Sequence, residues 1–195
     1  MARKTVFTRK DIIECAVRLI REKNLESLNA RSLAAAMDSS TQPIFSNFGD
    51  MDSLRQAVLE RSLEIYNEYV GNEVKSGKYS PLYKAYGMAY ISFSKYEKNL
   101  FKLLFMRDRT KEENPVESST SDNVIPIIVK ATGMTEKQAW LFHLEMWTFT
   151  HGIAAMIATS YVDWSMELVS EAMTDAYQGL LHRFRNKGGS DEERH

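Results

Sequence analysis

The amino-acid sequence predicts an all-α protein of about nine helices that begins with a three-helix helix-turn-helix domain. Apolar residues recur at helical spacing in successive segments, and no segment of strand length alternates apolar with polar residues. No internal repeat is visible. Residues 28–48 contain two short helical stretches separated by a polar break. These observations favour helices packed on helices.

Composition indicates an ordinary globular protein. The 195 residues are 44% hydrophobic and 26% charged, enough for one good core or two small ones. The single cysteine, Cys15, excludes an intrachain disulfide, and we interpret it as a small buried side chain in preference to a redox sensor. Residues 1–10 lack the apolar core of a signal peptide, and the uncharged run 146–162 is short for a membrane span. We therefore expect a cytoplasmic protein.

Charge is unevenly distributed along the chain. Residues 1–48 carry eight basic and five acidic side chains, whereas the remainder carries 17 basic and 21 acidic ones. A basic head on an acidic body fits a head that contacts phosphates, although chance variation in surface charge is an alternative.

The first helix begins after Thr8, which forms a capping box with Asp11 in place of the usual Glu or Gln. Its apolar stripe predicts an end near Lys23, with Asn24 in the left-handed conformation.

The helix-turn-helix follows. Asn29 is a suitable N-cap for a first helix over 30–37, and Asp38 tolerates the left-handed conformation where the chain turns. Ser40 is a suitable cap for a second helix from about residue 41, and Pro43 falls in its first turn, where a missing N–H costs little.

The second helix of this motif has a polar face. Ile44 and Phe48 are predicted to turn inward as anchors. The side chains predicted to be exposed are short hydrogen-bonding groups suited to base edges and phosphates, namely Thr41, Gln42, Ser46 and Asn47. An ordinary pair of surface helices is the alternative for this motif taken alone.

Six further helices are expected. Asp50 caps the first of them, and a Thr135–Gln138 capping box opens the most apolar one, which must be covered on several sides. The segment 108–122 contains one apolar residue and is predicted to be a loop, and 187–195 is a polar tail. The predicted helices cover about 51–74, 81–96, 99–107, 124–132, 136–161 and 166–185.

Residues 8–54 resemble the DNA-binding domain of the TetR family of bacterial transcriptional regulators. The resemblance covers the first helix TRKDIIECAVRLIREKN, the link LESLNA, the motif helix RSLAAAM, the segment STQPIFSNF and the start of the next helix, DMDSLRQAV. Spacing from Leu33 to Phe48 matches without insertion. Because it runs over four consecutive helices, this signal is more specific than the helix-turn-helix alone.

The resemblance implies DNA contacts at individual positions. Arg31 matches a position that often contacts phosphate, and Phe45 stands where a phosphate-binding tyrosine is usual. Met51 stands where a lysine commonly binds phosphate, so the resemblance does not carry over phosphate contacts at Phe45 and Met51. In the turn, Asp38 replaces the customary glycine and Ser39 an apolar residue. Arg3, Lys4, Arg9 and Lys10 are candidate basic contacts. The DNA-binding candidates are Arg31, Ser40, Thr41, Gln42, Pro43, Phe45, Ser46 and Asn47.

The same resemblance implies a DNA-binding domain over 1–50 and a regulatory domain over 51–186 that binds a ligand and dimerises. The last two helices of each subunit would pair, and a two-fold dimer implies a roughly palindromic operator. Small residues that allow close approach there are Ala154, Ala155, Ala158, Ala172, Ala176 and Gly179.

A ligand pocket in the regulatory domain is also implied by the resemblance. The candidates are apolar and aromatic, although core packing is the alternative for each one, and His151 is also read as a core histidine with one partner. They are Met88, Phe93, Phe101, Phe105, Phe142, Met146, Trp147, Phe149 and His151.

We therefore predict a ligand-responsive transcriptional regulator, a repressor released from its operator by a small apolar or aromatic effector. The alternative is a helical small-molecule-binding or scaffold protein that has lost DNA affinity. An enzyme is not expected, because the sequence lacks an HExxH, a Cys pair, a G-x-S-x-G and a Gly-rich phosphate loop. We expect no metal and no cofactor.

Overall fold

A computed structural model describes residues 7–108 and 117–191. These residues form helices and contain no β-strand. The predicted all-α class is confirmed. A single 3-10 turn, Leu25–Ser27, lies between the first two helices. The helices of the described residues are α1 (Arg9–Glu22), α2 (Ala30–Ala36), α3 (Gln42–Phe48), α4 (Met51–Ser76), α5 (Leu82–Tyr96), α6 (Lys98–Phe105), α7 (Glu117–Thr132), α8 (Glu136–Ala158) and α9 (Met166–Asp191).

The helices form two compact units. The first unit is the described part of Met1–Glu68 together with Tyr96–Arg107, and the second unit is the described part of Tyr69–Lys95 together with Asp108–His195. The first unit runs past the expected boundary at residue 50, because α4 as far as Glu68 and all of α6 belong to it. The division into DNA-binding and regulatory domains concerns function and stays a prediction.

In the first unit, α6 closes the C-terminal end of α1. Both oxygens of the Glu97 carboxylate accept from the Arg21 guanidinium, at 2.9 and 2.7 Å. The Asn99 amide donates to the carbonyl oxygens of Arg21 and Lys23, each at 3.1 Å. These bonds satisfy carbonyls that have no partner inside a helix end. Beneath them the α1 side chains Ile12, Ala16 and Ile20 are completely buried.

In the second unit, aromatic rings from α5, α8 and α9 meet. The ring of Phe142 lies 5.4 Å from Tyr177 and 5.7 Å from Phe184, both edge to face, and 6.2 Å from Tyr83. Such arrangements add to the stabilisation from burial. α5 approaches α9 closely at Gly87, where an added Cβ would lie 2.7 Å from Cε of Met173. Gly87 thus leaves room for that methionine.

Most predicted helix starts are confirmed. Thr8 and Thr135 each form a capping box, and Asn29 Oδ1 accepts from the Ser32 N–H at 3.0 Å. Asp50 Oδ1 accepts from the Ser53 N–H at 2.7 Å. The left-handed exit at Asn24 is wrong, because its backbone is extended and its side chain accepts from the Ser27 N–H instead, capping the 3-10 turn.

Several helix ends differ from prediction, and α4 continues to Ser76, two residues past its predicted end at 74. α6 ends at Phe105, and α8 ends at Ala158, short of Tyr161, because Ser160 takes a left-handed φ of 59°. α9 continues to Asp191, so residues 187–191 of the predicted tail are helical, and 192–195 lie outside the described residues.

The predicted loop over 108–122 is partly wrong. Residues 109–116 lie outside the described part, but α7 begins at Glu117, well before the predicted start at Val124. Apolar periodicity cannot mark helical turns whose sequence, ESSTSD, contains no apolar residue.

Candidate DNA-binding site

The turn between α2 and α3 is closed by backbone hydrogen bonds. The Asp38 N–H donates to the Ala35 carbonyl at 3.2 Å, and the Ser39 N–H donates to the Ala34 carbonyl at 3.0 Å. Asp38 has a φ of 48°, the left-handed conformation predicted for it. Asp accepts this region more readily than most side chains, so the turn forms without the customary glycine.

α3 is held from beneath by its apolar side chains. Ile44 is completely buried and Phe48 nearly so, which confirms the prediction that both are anchors. The Arg9 guanidinium lies 4.2 Å from the centre of the Phe48 ring and donates to the Asn47 carbonyl at 3.1 Å. Arg9 therefore joins α1 to the end of α3 while its side chain remains exposed.

The outward face of α3 is a short row of uncharged side chains. Gln42, Phe45 and Ser46 are exposed, and their spacing of three and four residues makes them neighbours on one helix face. Phe45 is 44% exposed. Ser40, also exposed, accepts from the Gln42 N–H at 3.4 Å, and Pro43 lies in the first turn as predicted. We call Gln42, Phe45 and Ser46 the α3 row.

Two residues predicted to be exposed are half-buried. Thr41 precedes α3 and makes no side-chain capping bond. The Asn47 amide nitrogen donates to the Pro43 carbonyl at 2.8 Å and to the Phe7 carbonyl at 3.4 Å. The expectation of exposure is wrong for both. Because the Asn47 amide nitrogen already donates to two backbone carbonyls, it is less available to DNA than the exposed amide of Gln42.

Basic side chains lie on the elements next to α3. Arg31 on α2 and Lys10 on α1 are exposed, whereas Arg3 and Lys4 lie outside the described residues. The carboxylates of Asp11 and Asp50 accept hydrogen bonds at the starts of α1 and α4. Hydrogen bonds from Thr8 lower the pKa of Asp11, and those from Ser53 lower the pKa of Asp50. Both caps therefore stay ionised in neutral solution.

Arg61 is a feature that sequence reasoning missed. Its guanidinium contacts the carboxylates of Glu14 at 2.7 Å, Glu64 at 3.1 Å and Glu68 at 3.2 Å. These partners, Glu14 foremost, raise the pKa of Arg61. The cluster fixes α4 to α1 beside a groove lined by Arg9, Lys10, Ile13, Glu14, Ala57, Glu60, Arg61 and Glu64. Glu64 and Glu68 are near Arg61 in sequence, but no local pattern indicates Glu14.

The predicted ligand-binding residues are divided between the units. Phe101 and Phe105 belong to the first unit, where their rings lie 5.2 Å apart and Phe105 also contacts Tyr66. The other seven belong to the second unit. There Phe149 is 41% exposed, Trp147 and His151 are half-buried, and the buried members are Met88, Phe93, Phe142 and Met146.

Two tyrosine–histidine pairs give the second unit polar groups among its aromatic rings. The Tyr83 hydroxyl lies 2.9 Å from His143 Nδ1, and the Tyr90 hydroxyl lies 2.9 Å from His151 Nδ1. Burial lowers the pKa of His143 and raises that of Tyr83. The Trp147 ring stacks on His151 at 5.3 Å. Sequence reasoning identified His151 but not its tyrosine partner 61 residues away.

Helices α8 and α9 expose several large apolar side chains. On α8, Trp140 is 55%, Leu141 42% and Leu144 38% exposed, and on α9 Leu168 is 50% exposed. Of the small residues predicted to allow close approach, Ala154 and Ala158 are buried in the chain's own core. The other four, Ala155, Ala172, Ala176 and Gly179, remain accessible.

Comparison with solved structures identifies the fold. A TetR-like transcriptional regulator from Rhodococcus sp. RHA1 has a TM-score of 0.64 at 15% identity, over 90% of this chain and 94% of that one. A protein of unknown function from the same organism has a TM-score of 0.73 at 20% identity, over 93% and 99%. The multidrug binding protein EbrR, complexed with imidazole, has a TM-score of 0.60 at 18% identity, over 86% and 88%. The chain has a TetR-like fold.

Sequence comparison is less informative. No protein-family model matches the chain, and no curated protein does. Among residues 7–108 and 117–191, no helix is both long and apolar enough to cross a membrane. Within the same residues, no cluster of three His, Cys, Asp or Glu side chains is arranged to hold a metal ion.

Proposed function

We propose that this protein is a DNA-binding transcriptional regulator. The observation that carries the proposal is the α3 row, an exposed amide, ring and hydroxyl on a short helix whose apolar side chains are buried beneath it. A helix of this kind enters the major groove, where uncharged polar groups read base edges. Exposed Arg31 and Lys10 are suited to the flanking phosphates.

A homodimer is part of this proposal. The exposed apolar side chains of both helices, Leu141 on α8 and Leu168 on α9 among them, and the accessible alanines of α8 and α9 support pairing with a second copy. A two-fold dimer presents two α3 helices to one side of a duplex, and its operator is then an inverted repeat with half-sites about one turn, roughly 10 base pairs, apart.

The regulatory ligand is proposed to be a small apolar or aromatic molecule. Aromatic rings with the Tyr90–His151 pair among them provide apolar contact and a few polar groups, as ligand sites usually do. The fold shared with a multidrug binding protein is consistent with this ligand class. The ligand lowers operator affinity if it binds better to a conformation unsuited to DNA. We propose repression as the activity that this release ends, because it is the commoner mode of the TetR family that the sequence resembles.

The test begins with selection of bound sequences from a pool of random DNA duplexes by the purified chain. Affinity for the selected duplex is then measured by fluorescence anisotropy for wild type and for an Arg31→Ala, Gln42→Ala double variant. Loss of one base contact and one phosphate contact is expected to weaken binding about a hundredfold. Asn72→Ala, Lys130→Ala is the matched control, because both of its residues are exposed in the second unit and lie outside α8 and α9.

Unchanged binding by the Arg31→Ala, Gln42→Ala variant contradicts the proposed site. Titration of the bound duplex with a panel of planar aromatic compounds tests the effector, and release by none of them contradicts that part of the proposal.

A helical ligand-binding or scaffold protein without DNA affinity is the second candidate. Phe45, Met51 and Asp38, which depart from the TetR pattern, favour it. Failure to enrich any sequence from the random pool would select this candidate over the first.

A further inference from the structure

The α3 row contains an aromatic ring, Phe45, that lies outside the buried core of the first unit. Ile44 and Phe48 already anchor α3 from beneath. Phe45 is 44% exposed beside Gln42 and Ser46, and among the described residues it stacks on no ring and no cation. The exposed part of an apolar side chain gains free energy from burial only when a partner covers it.

The residues of α3 also restrict which bases the helix can read. Its sequence, QPIFSNF, contains no charged residue. The side chains that usually bind guanine are Arg and Lys, and those that accept from cytosine are Asp and Glu, so α3 lacks both kinds. An amide such as Gln42 pairs with N6 and N7 of adenine, and an apolar side chain contacts the C5-methyl group of thymine.

We infer that α3 reads A·T base pairs, with Gln42 on an adenine and the Phe45 ring on a thymine methyl group. Phe45 is then a specificity-determining residue whose partner is that methyl. This inference rests on the proposed DNA-binding function and names the bases that the site takes.

The spacing along α3 limits where the two bases lie. Three residues of α-helix advance by about 4.5 Å, little more than the 3.4 Å between neighbouring base pairs of one strand. Gln42 and Phe45 therefore reach the same base pair or adjacent ones. The adenine and the thymine belong to one short A·T step in each half-site.

The test removes one methyl group at a time from the DNA. In the duplex selected by the full chain, each thymine of a half-site is replaced singly by deoxyuridine, and affinity is measured by fluorescence anisotropy. Burial of one methyl predicts that one substitution weakens binding about fourfold. Phe45→Ala abolishes the difference between thymine and uracil at that position, whereas Phe45→Leu, which keeps an apolar side chain, retains most of it.

Ser46→Ala is the matched control for this sensitivity. Ser46 neighbours Phe45 on the α3 row but carries no apolar surface of comparable size, so its loss leaves the thymine-to-uracil ratio unchanged whatever it does to affinity. Replacement of adenines by 7-deazaadenine is expected to weaken wild type, but not Gln42→Ala, at a base pair no more than one step from the sensitive thymine.

The results separate this inference from the function on which it rests. Failure of the chain to enrich any duplex overturns the proposed function. A specific duplex that is bound equally with thymine or uracil at every position overturns the inference alone, as does a methyl effect that survives in Phe45→Ala. A loss of affinity in Phe45→Ala that is the same for thymine and uracil assigns the ring to the sugar-phosphate backbone and also overturns it.

Discussion

The two units differ in the kind of surface that they expose. In the first unit, Leu33 of α2 and Ile44 and Phe48 of α3 are buried, and the α3 row exposes an amide, a hydroxyl and one ring. In the second unit, α8 exposes four large apolar side chains, Trp140, Leu141, Leu144 and Phe149. The first surface is small and polar, which suits a DNA groove, and the second is extended and apolar, which suits another protein surface.

The units also differ in how they hold their helices together. Ion pairs are prominent in the first unit, where Arg61 joins three carboxylates and Arg21 binds Glu97. Aromatic packing is prominent in the second, where Phe142 contacts three rings. Partly exposed ion pairs contribute little free energy each but fix geometry, whereas buried rings contribute more. We infer that precise placement matters most in the first unit and apolar burial in the second.

The largest effect is expected from a charge placed on the apolar surface of α8. Leu141→Arg buries a cation without a partner in each half of the proposed dimer, and sedimentation equilibrium should show dimer affinity weakened by at least about a hundredfold. Asn72→Arg adds the same charge at an exposed position of the second unit on α4, outside α8 and α9, and should leave the dimer intact. A Leu141→Arg protein that remains dimeric would place the interface elsewhere.

The capping boxes provide one matched perturbation in each unit. Thr8→Ala and Thr135→Ala each remove a side chain that accepts from the helix, at a cost of about 1 kcal/mol in the free energy of unfolding. Thr8→Ser and Thr135→Ser keep the oxygen and should restore most of that loss. Urea denaturation followed by circular dichroism measures all four variants, and an alanine variant as stable as wild type would show that its cap is dispensable.

Two glycines test packing within the second unit. Gly71→Ala on α4 meets no atom within 4 Å, so the gain in helix propensity should raise the free energy of unfolding by about 0.5–1 kcal/mol. Gly87→Ala places its Cβ 2.7 Å from the Met173 methyl, which must move, so its net gain should be smaller or negative. Equal gains, measured by thermal denaturation, would mean that α5 and α9 are not tightly packed there.

The smallest effect concerns pH and the Tyr83–His143 pair. Burial lowers the pKa of folded His143 below its ordinary value of 6.5, so below that pH the unfolded chain binds the additional proton. Stability should therefore fall as the pH drops from about 6.5 toward the folded pKa. His143→Gln, which can still accept from Tyr83, should reduce this dependence, whereas the exposed His182→Gln should not. Identical pH profiles for wild type and His143→Gln would contradict the assignment.

The helix-turn-helix was predictable because its determinants are local. Asn29, Asp38 and Pro43 act on backbone within a few residues of themselves, so the sequence pattern was enough to place each of them. Burial of Ile44 and Phe48 followed from helical spacing. The hydrogen bonds of the Asn47 amide did not follow from helical spacing. The amide donates to the carbonyls of Pro43 and Phe7, and Phe7 is 40 residues away in sequence.

The second unit was less predictable because its contacts are distant in sequence. Tyr83 and His143 are 60 residues apart, and neither residue type indicates the other. The ligand-binding candidates were chosen by residue type. Two of them, Phe101 and Phe105, belong to the first unit, whereas the others belong to the second. α7 began earlier than expected because its first turns contain no apolar residue.

One measurement tests the central claim most directly, that two copies of α3 held by paired α8 and α9 helices read one side of a duplex. Five base pairs are inserted between the half-sites of the selected duplex, which rotates one half-site by about half a helical turn. We predict that affinity of the wild-type chain, measured by fluorescence anisotropy, falls at least about tenfold. Unchanged affinity after this insertion would contradict the claim.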